Sequence, residues 1–287
     1  MTICVAAITN NNAIIGASDR LITAHDTQFS PPQTKHVTFT TSIIGMVSSN
    51  DLSLAAQILL EVQAEVAERV TKEPQNWWLV KDVAYLYKEK YLRVKSERAA
   101  MSILAPLGLD SETYISRQKE MNPEMVKQIA TELINYQLPS TAIIFAGVDT
   151  TGPNLYVAND AEISWCNPAG FATIGSGSWH AQSTFMVAGH TRFSLLPRTL
   201  FITYIAKKRA ELAPGVGPDT DMFGIGPALG SLKSFEQTVI QGMDKIYGAW
   251  NIKLSECFTE VEKEVNKYAE QVSAALPTAP KQIGPPA

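Results

Sequence analysis

Two apolar runs rich in β-branched residues, TICVAAI at 2–8 and AIIGAS at 13–18, are separated only by Thr9 and Asn10-Asn11-Asn12. Asparagine tolerates the left-handed backbone of a tight hairpin, so these runs predict two antiparallel strands that double back at once. Parallel strands would need a crossover of a dozen residues or more, and none fits here. Residues 20–35, with Pro31-Pro32, predict a loop or edge excursion. HVTFT (36–40) and SIIGMV (42–47) add two more short strands, and Ser48, Ser49 and Asn50 are candidate N-caps for the next element.

The pattern then changes period. Leu52, Ala55, Leu59, Val62, Val66 and Val70 recur at helical spacing over 51–70, and Pro74 ends that helix. Val80, Ala84, Tyr87, Tyr91 and Val94 form one stripe over 77–98. Pro106 to Asp110 is a break, and 123–136 predicts a further helix with Pro123 near its start. Strands return at 141–149 and 154–160 around a Thr-Gly-Pro turn. GFATIGSGS (170–178) predicts a strand running into a Gly-Ser loop, and 179–189 a helix start. Residues 196–212 are amphipathic, 213–221 form a turn-rich loop, 221–226 a strand, and 234–274 a strand or two before a charged helix. The segment LPTAPKQIGPPA (276–287) is Pro-rich and is expected to be disordered. Hairpin strands in two groups with helices between them predict an α+β layered fold and argue against a doubly wound one.

Several functions are disfavoured by composition. The net charge of −4 gives no basis for a nucleic-acid or anionic-membrane surface. The densest basic cluster, Lys207-Lys208-Arg209, suits a solvated helix face. Cys4, Cys166 and Cys257 are odd in number and lack ligand spacing, so neither a disulfide framework nor a metal site is expected. No apolar run reaches the ~20 residues of a membrane span, and no basic-then-apolar leader is seen, so a cytoplasmic protein is expected. GxGxxG, Walker and HExxH patterns are missing, and no cofactor is expected. PGVGP (214–218) and GIGPALG (224–230) are read as turns.

One constellation carries chemistry. Removal of Met1 would leave Thr2 with a free α-amine, whose ordinary pKa of ~7.7–8.0 suits it to take a proton from the threonine hydroxyl. A lysine beside the hydroxyl would ease its ionisation, and a carboxylate would orient that lysine. Lys35 and Asp19 are of the right type. Taken alone, the three suit solvated loop positions better than a site.

The order of segments adds to this. MTICVAAITNNNAIIGASDRLIT, then PPQTKHV, then SIIGMVSSNDLSLAAQIL, resembles the opening of a proteasome β-type subunit, within the N-terminal-nucleophile (Ntn) hydrolase superfamily. AIIFAGVDTTGPNLYVAND and ATIGSGS are similar to later segments of that family, so the resemblance covers about 2–70 and 141–226. It implies a four-layer αββα sandwich in one domain, 1–275, with an enlarged helical insertion at about 72–140 that could cap the pocket or mediate assembly. It also implies that Thr2 is the nucleophile, Asp19 and Lys35 its charged partners, Ser176 the hydroxyl at its amine, and the Val47 or Ser48 backbone N–H the oxyanion donor. The implied activity is a threonine-type peptidase or amidase that self-assembles as a homo-oligomer, in a ring or otherwise. An inactive scaffold and an acyl-transferring or ligating enzyme are the alternatives. Whether an AAA+ unfoldase is a partner is not written in the residues.

The sequence also departs from the family. Arg20 sits one place earlier than the family's arginine. Ala210 and Ala213 stand where an aspartate and a serine are expected, leaving Glu211, Asp219 and Asp221 as candidate substitutes. The segment MVSSN replaces a glycine loop at the oxyanion position.

Overall fold

The computed structural model of the chain describes residues 2–24, 27–29, 35–74 and 76–275. By its contacts the chain divides into two compact units, Met1–Ile240 and Gln241–Ala287. The division falls inside the last helix. The Pro-rich segment 276–287 lies outside the described residues, as do 30–34.

Strands β1 (Cys4–Thr9) and β2 (Ala13–Asp19) form the expected hairpin, with Asn10 and Asn11 at φ of 49° and 54°. They lie inside an antiparallel sheet of order β10-β1-β2-β11-β12, completed by β10 (Phe171–Ile174), β11 (Thr220–Ile225) and β12 (Leu232–Ser234). A small hairpin, β3 (Ile22–Ala24) with β4 (Thr27–Phe29), occupies part of the predicted excursion. The second five-stranded antiparallel sheet runs in chain order: β5 (His36–Thr40), β6 (Ile43–Ser49), β7 (Thr141–Asp149), β8 (Gly152–Asn159) and β9 (Glu162–Trp165). This mixed α/β unit therefore contains two antiparallel sheets, and no strand in either is parallel to its neighbour.

The sheets share a buried cluster. Cys4, Ala6 and Ile8 of β1, Ile14 of β2 and Phe223 of β11 meet Ile44 and Met46 of β6, Ile144 and Ala146 of β7 and Leu155 of β8. Alternation explains this, since every second residue of each strand faces the other sheet. Helices α5 (Ser178–Val187) and α6 (Leu196–Ala210) pack on the first sheet, while α1 (Leu52–Lys72) and α2 (Val80–Ala99) pack on the second.

Asp51 caps α1, its side chain accepting the Leu54 N–H at 3.0 Å. The expected caps differ because β6 continues through Ser49, and Ser49 Oγ instead accepts the Asp51 N–H at 3.0 Å.

The described residues between β6 and β7 that follow α1 have two parts. Val83, Tyr87, Tyr91 and Val94 of α2 belong to the core, with Tyr87 tilted against Phe145 of β7 at 5.6 Å. A π-helical turn (Ala100–Leu104), α3 (Ser111–Arg117) and α4 (Pro123–Asn135) come next, and build a separate small cluster around Leu104, Tyr114 and Ile129. Neither α3 nor β9 was expected from the sequence; both are too short to show a clear period.

The last helix, α7, spans Gln237–Ala275. Along it Leu254, Phe258, Val261, Val265, Tyr268 and Val272 are exposed at spacings of three and four. Among the described residues no helix is long and apolar enough to cross a membrane.

Candidate active site

Strand pairing brings the first three candidate residues together. Thr2 and Ile3 extend the β1–β2 ladder, with Asp19 N–H donating to Ile3 C=O at 3.2 Å. Asp19, at the end of β2, therefore lies beside Thr2 and is wholly buried. Lys35 enters from the other sheet, immediately before β5, and its ammonium reaches across to the same point.

Lys35 Nζ uses all three of its donors there. It donates to Thr2 Oγ1, to Asp19 Oδ1 at 2.7 Å and to the Leu21 carbonyl at 2.6 Å. Thr2 Oγ1 in turn donates to Asp19 Oδ1 at 2.5 Å. The rest of the carboxylate is held by backbone: Ile3 N–H at 2.9 Å on Oδ1, and Leu21 N–H at 3.2 Å and Gly217 N–H at 3.0 Å on Oδ2. Such charge-assisted bonds are the strong ones, and backbone donors hold the acid without rotamer freedom. The hydroxyl of Thr2 thus lies between a cation and an anion whose positions it does not have to organise.

The nitrogen side of Thr2 meets the turn between β10 and α5. Thr2 N donates to Ser176 Oγ at 3.3 Å, and Ser176 Oγ is also within reach of Thr2 C=O at 3.3 Å and Pro214 C=O at 3.4 Å. The turn can come this close because of Gly175. Its φ is +99°, and a Cβ there would lie 2.3 Å from the Thr2 carbonyl oxygen.

Cys4 is the nearest thiol. Burial pushes it up to about 12 despite the pull of the Lys35 charge, so it stays a neutral thiol and does not compete as a nucleophile.

Four sequence-predicted residues, Thr2, Asp19, Lys35 and Ser176, are therefore brought together. The oxyanion residues are a different case. Val47 N–H donates to the Lys35 carbonyl at 3.1 Å, so this amide is already satisfied. The pleat turns the next amide, that of Ser48, to the other edge of β6, where Ser48 pairs with Ala142 of β7. Val47 lies within the expected strand, and Ser48 joins the ladder because β6 runs two residues further than expected.

The candidate substitutes for the absent aspartate are committed elsewhere or remain outside. Asp221 forms a forked pair with Arg20, at 2.9 and 3.0 Å from Nε and 2.5 Å from Nη2. Glu211 pairs with Lys207 at 2.7 Å and Lys208 at 2.9 Å. Asp219 is exposed. Ala210 itself abuts the turn, and a Cβ built on Gly177 would lie 2.7 Å from its Cβ.

Sequence reasoning missed the Leu21 carbonyl and the Gly217 N–H, since a backbone group leaves no mark in the side-chain code. It also misplaced Lys207. This residue of the basic cluster is fully buried, because the loop 213–218 folds back over the end of α6. Among the described residues no three His, Cys, Asp or Glu side chains are grouped to hold a metal ion.

The sequence matches no protein-family model, and no curated protein matches it. The geometry around Thr2 must carry the functional argument.

Proposed function

We propose that the chain is a threonine-type N-terminal-nucleophile hydrolase of peptide or other amide bonds, built on a proteasome-like αββα sandwich. The observation that carries this is the convergence of Lys35 Nζ and Asp19 on Thr2 Oγ1, with Ser176 at Thr2 N. Support for the layer order comes from the two facing sheets, with α5 and α6 on one and α1 and α2 on the other.

The chemistry requires Thr2 to carry a free α-amine. The Thr2 Oγ–H bond breaks as its proton passes to that amine, directly or through water, and Oγ bonds to the amide carbon. The Lys35 charge favours the developing alkoxide throughout. Collapse of the tetrahedral species breaks the C–N bond, and the ammonium proton leaves on the departing amine. Water then attacks the ester, with the amine again accepting the proton, and returns Thr2 Oγ–H with a carboxylic acid product. Asp19 keeps Lys35 aimed and takes no part in bond making. Neither Val47 nor Ser48 is assigned as the oxyanion donor. An amine acceptor in place of water would make the same intermediate a transfer or ligation reaction.

The test is exposure of the purified protein to a β-lactone or epoxyketone, followed by peptide mass spectrometry. An adduct on a peptide beginning at Thr2, lost in Thr2→Ala and Lys35→Ala, is expected. A Thr2 that retains an upstream residue, or that stays unmodified at saturating probe, would sink the proposal. The scaffold reading is favoured by one observation, Ala210 and Ala213 standing at the aspartate and serine positions, and it predicts the unmodified outcome.

A further inference from the structure

Lys207 is the only fully buried ammonium among the described lysines. The catalytic scheme does not use it. Burial pushes its pKa down, while the carboxylate of Glu211 opposes the shift. A buried ammonium is costly unless all its donors are used, and here they are: Glu211 Oε1 at 2.7 Å, Gly217 C=O at 2.9 Å and Pro218 C=O at 2.8 Å. The two carbonyls belong to the loop after α6. Gly217, gripped through its carbonyl from one side, presents its N–H on the other side to Asp19 Oδ2. The loop also lies against Leu21 so closely that a Cβ on Gly217 would stand 2.6 Å from Leu21 Cβ.

We propose that Lys207 is a positioning residue: it clamps the Gly217–Pro218 backbone so that the Gly217 N–H fixes Asp19, and through Asp19 the Lys35–Thr2 pair. Lys207 touches neither Thr2 nor the reacting atoms. Its effect on reactivity rests on the hydrolase reading, but its hold on Asp19 does not. The arrangement also gives the end of α6 a purpose that the sequence concealed. A residue in the last turn of a helix faces the negative end of the macrodipole, so a cation is well tolerated there.

Lys207→Met keeps the length of the stem and removes all three donors. Two readouts are taken on the folded variant, its folding checked by circular dichroism. The first is the Gly217 amide proton in a ¹⁵N–¹H spectrum, which a carboxylate acceptor draws downfield. The second is the rate at which a β-lactone labels Thr2, measured across probe concentrations.

The expected result is an upfield move of the Gly217 amide, with maximal labelling about tenfold to a hundredfold slower at unchanged half-saturation. A loss of stability alone would move neither readout in the folded protein. Glu211→Gln leaves both carbonyl contacts in place and is expected to keep the Gly217 signal. Should Lys207→Met not fold, Lys207→Gln, which retains a donor for one carbonyl, takes the same two readouts.

An unmoved Gly217 amide, or a moved amide with wild-type labelling, overturns the proposal. A wild-type protein that never labels, combined with a Gly217 amide that does move, would end the hydrolase reading. The clamp on Asp19 would then still stand.

Discussion

The centre of the site is a hydroxyl held between Lys35 and Asp19, and the two charges are not equivalent. Asp19 is wholly buried and tied by three backbone N–H groups, whereas Lys35 is held at its tip. Lys35→Ala is therefore expected to lower Thr2 labelling by about 10²–10⁴ and to cost about 3–5 kcal/mol, the usual penalty for breaking a buried pair. A labelling rate and a urea midpoint measured on the same sample check both.

His36, the next residue, makes a pH prediction. Its Nε2 lies 2.9 Å from Ser18 Oγ and its ring is edge-on to Phe223, and burial lowers its pKa to about 4 against the opposing pull of Asp221. In the unfolded chain the ring titrates near ~6.5. Between these values the unfolded state binds more protons, so the His36 contribution is complete above ~6.5 and is lost as the pH falls toward 4. The full loss is about 3 kcal/mol. Urea midpoints from pH 7 to 4 should fall less steeply for His36→Gln than for the parent; parallel curves would remove His36 from the account.

At the level of elements, the candidate site depends on how strands and helices end. Asp19 closes β2, Lys35 precedes β5, and Ser176 lies between β10 and α5. The β10–α5 turn tolerates little change at Gly175. Gly175→Ala would place a methyl against the Thr2 carbonyl in a backbone region that costs an L residue about 1–3 kcal/mol by itself. The expected outcome is a lowered melting temperature together with loss of Thr2 labelling, since Ser176 is carried on the same turn. Asp51→Ala removes the cap of α1. It should cost about 1 kcal/mol and leave labelling unchanged, because the Asp51 side chain accepts the Leu54 N–H of its own helix and does not bond the Thr2, Asp19, Lys35 or Ser176 groups.

The first unit as a whole is a site mounted on two sheets. Thr2, just before β1, and Asp19 of β2 reach Lys35 only because the sheets are held face to face by their shared core. The outer face of the second sheet is anchored by Phe145, stacked on Phe39 at 5.7 Å and against Tyr87 at 5.6 Å. Phe145→Ala is expected to cost about 3–5 kcal/mol and to lower thermal stability and labelling together as the folded fraction falls. Labelling corrected for folded protein should remain near the parental rate. This separates a packing residue from Lys35, whose loss removes reactivity from protein that is still folded.

Much of this was determined by sequence alone. Asn10-Asn11-Asn12 dictate the first hairpin because few residues accept that backbone, and the hairpin places Asp19 beside Thr2 by simple register. The stripes of α1 and α2 were legible for the same reason, that a 3.6-residue period admits few alternatives. What the tertiary structure decided involves groups distant in the chain or invisible in the side-chain code. The use of the Val47 amide by Lys35 depends on β6 pairing alongside β5. The capture of Asp221 by Arg20 depends on β11 pairing with β2. Lys207 looks like any solvated lysine of a basic cluster until a loop folds over it. Local chain chemistry specifies turns and periods, but the burial of this charge is fixed only when the loop carrying the Gly217 and Pro218 carbonyls folds back onto the end of its helix.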